Sequence, residues 1–304
     1  MIGVFTTAQV YVLPPMPDNP NAAFALPGHR LLVLEGPDAV RFAHAQFMSD
    51  VAGLADGAWQ WSGWLAPKGR VLALFALLRL DAQRVWLLLP DADPEALAMQ
   101  LRRFVFRSKV RVEARPGAVV SGTFAADAQA RGATMAMRDD GSVALDFGGD
   151  GGARTLSIAL DRAAAGAGLA GDEATSAGTW RTFDLAHGLP RLGDDQVDRW
   201  TPQQLSLDRL RAYSVRKGCY PGQEIVARTH FLGQAKRGLV LLEGDAPLAP
   251  GGAVQVGETA SGTVVCTAGA LALAVLPLER DAAAAITVDG APVRQRPLAG
   301  GLDR

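Results

Sequence analysis

Lys217-Gly218-Cys219-Tyr220-Pro221-Gly222-Gln223-Glu224 brings a thiol, a phenol, two glycines, a cation and an acid into eight positions. Tyr220 to Gln223 suits a type II turn, because proline presets φ at the second position and glycine accepts the positive φ required at the third. Gly218 removes a side chain beside the sulfur, which predicts that another backbone or a ligand comes close there. From Gln223 to Leu232 the pattern is that of a short helix stopped by Gly233. Glu224 and Arg228 fall four apart in the favourable acid-before-base order. Cys219 then sits just ahead of the positive end of the helix dipole and beside Arg216 and Lys217, which predicts a reactive cysteine. The plainer alternative is a glycine-braced turn whose cysteine fills a small apolar gap.

The composition around this stretch narrows the classes of function. The chain has 304 residues, 49% of them hydrophobic, and a formal net charge of −1. That length suits two or three domains, and that charge does not suit a whole-molecule polyanion binder. No lysine or arginine precedes Arg30, against a secretory n-region or an arginine-rich transit peptide. The apolar runs Val71 to Leu78 and Ala270 to Leu276 are too short to span a bilayer, so no membrane partner is expected. Cys219 and Cys266 are the only cysteines, and a reducing cytoplasm is the simplest home. Two thiols and the scattered His29, His44, His187 and His230 do not make a cluster or structural zinc site, which usually needs about four ligands.

Working outward toward the N-terminus, residues 1–27 are proline-rich and almost uncharged, and read as an extended, partly disordered arm. Residues 28–116 read as an α+β layer. A strand at Arg30 to Leu34 leads to a helix from Ala39 to about Met48, with Asp38 as N-cap. Trp59, Trp61 and Trp64 suggest a strand presenting large rings on one face. Pro67-Lys68-Gly69-Arg70 turns into the apolar strand Val71 to Leu78, and a further strand covers Val85 to Leu89. Asp93-Pro94 starts a helix whose buried stripe is Leu97, Leu101 and Phe104. The arginines of residues 102 to 115 read as a solvated face. No stacking pattern of aromatic residues is read among them, so nucleic acid is not expected as a direct partner.

Residues 117–235 carry the opening stretch and, before it, strands at Val143 to Phe147 and Leu156 to Leu160 and a helix at Ala177 to His187. The glycines at 148–152 lack the lysine and the strand–helix setting of a phosphate loop. Residues 236–304 change texture into short apolar segments with an Asp289-Gly290 hairpin signal, as expected of a small all-β barrel. Cys266 falls in one of its strands and is expected to be buried and inert.

The run Lys-Gly-Cys-Tyr-x-Gly-Gln-Glu with Ala227-Arg228 resembles the signature of the YgfZ-type folate-binding proteins. These are relatives of the glycine cleavage T-protein, associated with the assembly or repair of iron–sulfur enzymes. Three further stretches are similar to family segments: Gln46 to Asp50-Val51, Pro67-Lys68-Gly69-Arg70, and Trp200-Thr201-Pro202-Gln203. The resemblance implies an α+β, three-domain cloverleaf around a central channel with a C-terminal β-barrel, and a tetrahydrofolate derivative as cofactor. It implies Cys219 and Lys217 as the reactive pair. Gln46, Asp50, Trp64, Lys68, Arg70, Trp200, Tyr220, Gln223, Glu224 and Arg228 would line the folate site. Iron–sulfur enzymes or their assembly proteins would be the clients, with tRNA modification affected indirectly.

The chain departs from T-protein, however. Val71 to Leu78 carries no acid where T-protein has catalytic ones, and Ala186 stands where it has another. That disfavours the first alternative, a folate-dependent one-carbon transferase. A second alternative is an RNA-binding module using Arg102, Arg103 and Arg107.

Overall fold

The computed structural model describes residues 13–162, 173–233 and 235–304. Residues 1–12 of the expected arm lie outside the described residues. The rest of the arm ends in β1 (Phe24–Ala25), which pairs with the second sheet, and Phe24 is buried there against Phe124 and Trp180. An apolar ring in a proline-rich segment was the signal for this docking.

The first sheet contains β2 (Arg30–Glu35), β3 (Ala58–Leu65), β4 (Val71–Asp81), β5 (Arg84–Leu89) and β6 (Arg111–Ala114). All its pairings are antiparallel, in the order β3-β4-β5-β2-β6. Helices α1 (Ala39–Gln46) and α2 (Pro94–Arg102) share one core with Leu32, Leu34, Phe75 and Leu87. Leu31, Val33, Leu74, Leu78 and Trp86 turn the other way, into the central core. With both faces covered, β4 needs apolar residues at nearly every position, which is why it reads as an unbroken hydrophobic run.

Three expectations fail here. Trp59 and Trp61 join the central core, while Trp64 packs on the opposite face with α1 and α2. A strand reverses its side chains at each residue, so positions 61 and 64 cannot share a face. Phe104 is not in the buried stripe, because α2 ends at Arg102 and the ring is 48% exposed. Asp93 caps α2 as expected, accepting from Glu95 N at 3.0 Å. Asp38 makes no side-chain cap; its Oδ2 accepts from Lys109 N instead.

The second sheet runs β1-β7-β10-β9-β8, with β7 (Val119–Thr123), β8 (Ala136–Met137), β9 (Val143–Asp146) and β10 (Thr155–Ala159). Helix α3 (Glu173–Ala186) lays Trp180 and Phe183 on it, and α4 (Gln223–Phe231) follows a long irregular stretch. The final unit is a closed six-stranded barrel, as expected. Its strands are β11 (Arg237–Gly244), β12 (Ala253–Val256), β13 (Thr259–Ala268), β14 (Leu271–Pro277), β15 (Ile286–Val288) and β16 (Ala291–Arg296). Asp289 and Gly290 both have positive φ, as a type I′ hairpin requires, and this turn delivers β16 to close the barrel on β11.

One core joins all three units. The Trp59 ring stacks on Phe147 at 5.2 Å, and Trp61, Trp180, Leu241, Val265 and Leu273 belong to the same buried cluster. The C-terminal segment ties it from outside. Leu302 O accepts from Trp61 Nε1 at 2.7 Å, Ala299 N donates to Ala186 O at 2.8 Å, and Arg304 lies over the Trp59 ring.

His187, at the end of α3, is buried beside this junction with Nδ1 2.7 Å from Phe183 O and no partner for Nε2. Burial, and then the nearby Arg154 charge, pull its pKa from 6.5 to about 4. Between those values the unfolded chain binds a proton that the folded protein refuses, so stability falls as pH drops through the window. The loss should reach about 3 kcal/mol. Urea midpoints measured against pH will show this slope in the wild type and a flatter one in His187→Gln; identical slopes would refute the assignment.

Candidate functional site

The turn at 220–223 forms as its sequence dictates. Gly222 has φ 79° and ψ −1°, and Gln223 N donates to Tyr220 O at 3.1 Å, a type II turn that launches α4. Gly222 is needed for space as well as for φ. A Cβ there would lie 2.7 Å from Ala66 O and 2.8 Å from Gly69 Cα, and a Cβ on Gly69 would lie 2.7 Å from Ile225 Cβ. The turn after β3 and the turn before α4 therefore dock backbone to backbone.

The other two stretches meet at the same place. Gln203 Nε2 donates to Val226 O of α4 at 2.9 Å. Arg70 donates to Arg199 O and to Gln204 Oε1, and Trp200 O accepts from Val71 N at 2.8 Å. Trp200 Nε1 donates to Gln196 Oε1. Ser214 N donates to Met48 O at 2.8 Å, just beyond α1. Segments separated by more than a hundred residues thus form one junction around residues 214–228.

Within it the chain alternates between anchors and display. Lys217 and Tyr220 are buried; Gly218 and Cys219, between them, are exposed. Lys217 Nζ donates to the carbonyls of His44, Phe47 and Ser49 and sits 4.8 Å over the Tyr220 ring. The free carbonyls at a helix C-terminus are natural partners for a cation. Burial pulls the Lys217 pKa down to about 8, opposed by the Asp50 charge. The expected pairing of Lys217 with the thiol is therefore corrected: its ammonium is turned inward, where carbonyls outcompete an exposed sulfur. Tyr220 OH donates to Ser214 O at 3.1 Å, and burial raises its pKa. A Cβ on Gly218 would meet open space, so among the described residues none makes the close approach expected there. Cys219 stands just ahead of the N-terminus of α4 and faces outward.

The remaining expected residues divide. Gln46 ends α1 with a buried Oε1 that has no partner. Asp50 is exposed and accepts from Gly53 N at 3.0 Å, a local bond, with His44 Nδ1 3.4 Å away. Lys68, Glu224 and Arg228 are exposed, Gln223 is half-buried, and no ion pair joins Glu224 to Arg228. Trp64 is enclosed on the far face of the first sheet, and its backbone bridges to Phe47, whose carbonyl accepts from Lys217.

A cavity of about 410 Å³ opens at the C-terminal end of α4, lined by Gln203, Ser206, Asp208, Tyr213, Thr229 and His230 among others. It lies about 13 Å along the helix from the Cys219 end. Gln203 is buried and its Oε1 has no partner; burial pushes the Tyr213 phenol up to about 12. Neither residue was singled out from the sequence as a site residue, although Pro202-Gln203 belongs to one of the matching stretches. Cys266 is buried in the barrel, accepts from Arg191 N at 3.3 Å, and has its thiol pushed up to about 11 by burial.

Two antiparallel sheets and a closed barrel sharing one core make this an α+β protein of the T-protein-like fold. The crystal structure of glycine cleavage system aminomethyltransferase T from Bartonella henselae superposes with a TM-score of 0.72, covering 93% of this chain and 86% of that one at 18% identity. Residues 236–298 match the C-terminal β-barrel domain of the CAF17 family. The tRNA-modifying protein YgfZ of Serratia proteamaculans is 28% identical over 287 residues, 86% of each chain. That of Klebsiella pneumoniae is 27% identical over 243 residues, 76% of this chain and 74% of the relative. The chain is thus similar to the tRNA-modifying YgfZ proteins over most of its length and to the CAF17 family in its barrel.

Proposed function

We propose that this chain is a tetrahydrofolate-binding accessory protein that maintains iron–sulfur enzymes, tRNA-modifying ones among them, through the Cys219 thiol. The observation that carries this reading is the junction itself: four distant stretches converge to hold one exposed cysteine between two buried anchors. A fold needs no such convergence to display a surface residue, whereas a reactive thiol needs its backbone held still. The name carried by the relatives supports the link to tRNA modification.

The residues fit a pterin through amides rather than carboxylates. Its amino-pyrimidine edge presents N–H donors, and Gln46 Oε1 and Gln203 Oε1 are buried acceptors without partners. Gln203, which lines the cavity at the end of α4, would accept from that edge, and a bound tetrahydrofolate would supply a carrier for one-carbon units. Helix α4 runs from that cavity to the turn that displays the thiol, so ligand contact at its far end bears on Cys219. The one-carbon transferase reading lacks its acid: Ala73 and Ala186 are buried apolar positions, and Leu72 packs toward the first core.

The test is alkylation of the native protein by iodoacetamide, read by mass spectrometry with and without tetrahydrofolate. One thiol, Cys219, will react; Cys266 will react only after unfolding; saturating ligand will slow Cys219. In cells, Cys219→Ser will fold yet fail to complement a cluster-maintenance defect. No ligand effect together with full rescue by Cys219→Ser would discard the proposal.

A further inference from the structure

The end of α2 and the loop after it carry a run that the junction does not use. Residues 102–111 read Arg-Arg-Phe-Val-Phe-Arg-Ser-Lys-Val-Arg, with five cations and no acid between Glu95 and Glu113. Phe106 is 89% exposed and Phe104 48%. Neither ring hangs free. The Arg107 guanidinium lies over the Phe106 ring at 5.4 Å, and Phe104 meets the buried Trp64 edge-on at 6.1 Å.

The acids around the run are already engaged. Asp38 pairs with Arg41 and accepts from Lys109 N, Glu113 pairs with Arg115, and Glu35 pairs with Arg115 and Arg111. Among the described residues, no carboxylate lies within ion-pair distance of Arg102, Arg103, Arg107 or Lys109. A groove of about 290 Å³ opens beside them, lined by Arg102, Val105, Val110, Arg111, Val112 and Glu113.

The two exposed rings among the arginines reverse the expectation from the sequence that nucleic acid is not a direct partner: we propose that this surface binds single-stranded nucleic acid, with bases stacking on Phe106 and Phe104 and phosphates meeting Arg103, Arg107 and Lys109. Charge complementarity selects the occupant, because unpaired cations around exposed rings match a chain that alternates phosphate with a flat π-face. An anionic bilayer would use the same charges, but the guanidinium stacked on Phe106 keeps a charge on the ring that the bilayer would have to bury. The surface acts independently of Cys219.

The test is fluorescence anisotropy of the full chain with a fluorescein-labelled 12-nucleotide oligouridine, repeated with oligodeoxythymidine. Three neutralised phosphates give a slope of log K against log salt of about −2, so affinity falls about 20-fold between 50 and 200 mM. Phe106→Ala will weaken binding by about tenfold at an unchanged slope. The double variant Arg103→Gln, Arg107→Gln will reduce the slope by about one, and Cys219→Ser will bind like the wild type. No binding of either oligonucleotide at 50 mM salt, or equal binding by Phe106→Ala, overturns the proposal. So does binding to phosphatidylserine vesicles in place of the oligonucleotides.

Discussion

Replacing Asp184 by alanine is expected to cost about 3–5 kcal/mol, enough to leave much of the protein unfolded at ordinary temperature. Arg154 and Asp184 form an ion pair with Nη1–Oδ1 at 2.8 Å and side-chain exposures of 0% and 1%. The guanidinium is packed against Trp180 at 4.7 Å and Phe183 at 5.2 Å, and also donates to Trp180 O. Its Nε and Nη2 have no partner, so the carboxylate is what makes a buried charge tolerable there. Removing only the carboxylate strands that charge in the core that joins the three units. Removing both charges with Arg154→Met and Asp184→Leu is expected to recover most of the loss, since the pair need not be net stabilising. Urea denaturation of the single and double variants measures both quantities. A cost below about 1 kcal/mol for Asp184→Ala would show that water or rearrangement reaches the guanidinium.

Gly222→Ala is expected to cost about 4 kcal/mol, from two independent sources. A side chain at φ 79° costs about 1–2 kcal/mol, and forcing a methyl against the Ala66 carbonyl and Gly69 Cα costs about 1–3 more. Neither contact can yield cheaply, because both atoms are backbone. Gly218→Ala, four residues earlier on the exposed face, meets open space and should change stability by less than about 0.5 kcal/mol. Thermal melts separate the two variants. If Gly222→Ala survives folding, Cys219 alkylation should lose its dependence on folate, because the loop is no longer docked on the first sheet. Equal melting of the two glycine variants would mean that the turn is not clamped.

Much of the site was legible from local chemistry. The turn at 220–223, the span of α4, the hairpin at 289–290 and the burial of Cys266 were all expected and all observed. The family resemblance picked out stretches at 46–51, 67–70 and 200–203, and the structure brings them to the same junction. What each side chain does there was less visible. Lys217 was expected to face the thiol and instead caps α1. Asp50, a candidate for the ligand site, makes an Asx bond within its own turn. Phe104 was placed in a helix stripe that ends two residues before it.

By itself the sequence determined whatever depends on the φ of single residues and on the period of apolar positions: the glycine turns, the helix before Leu232, the barrel strands and the two-faced burial of β4. Those preferences are enforced by atoms within a few residues of one another. The tertiary structure alone decided that Lys217 points inward and Cys219 outward, that Trp64 leaves the face of its neighbours, and that Phe106 remains in water. Each of these depends on which distant backbone supplies a carbonyl, a carboxylate or an apolar wall, and contacts between segments far apart in the chain leave no local periodicity to read.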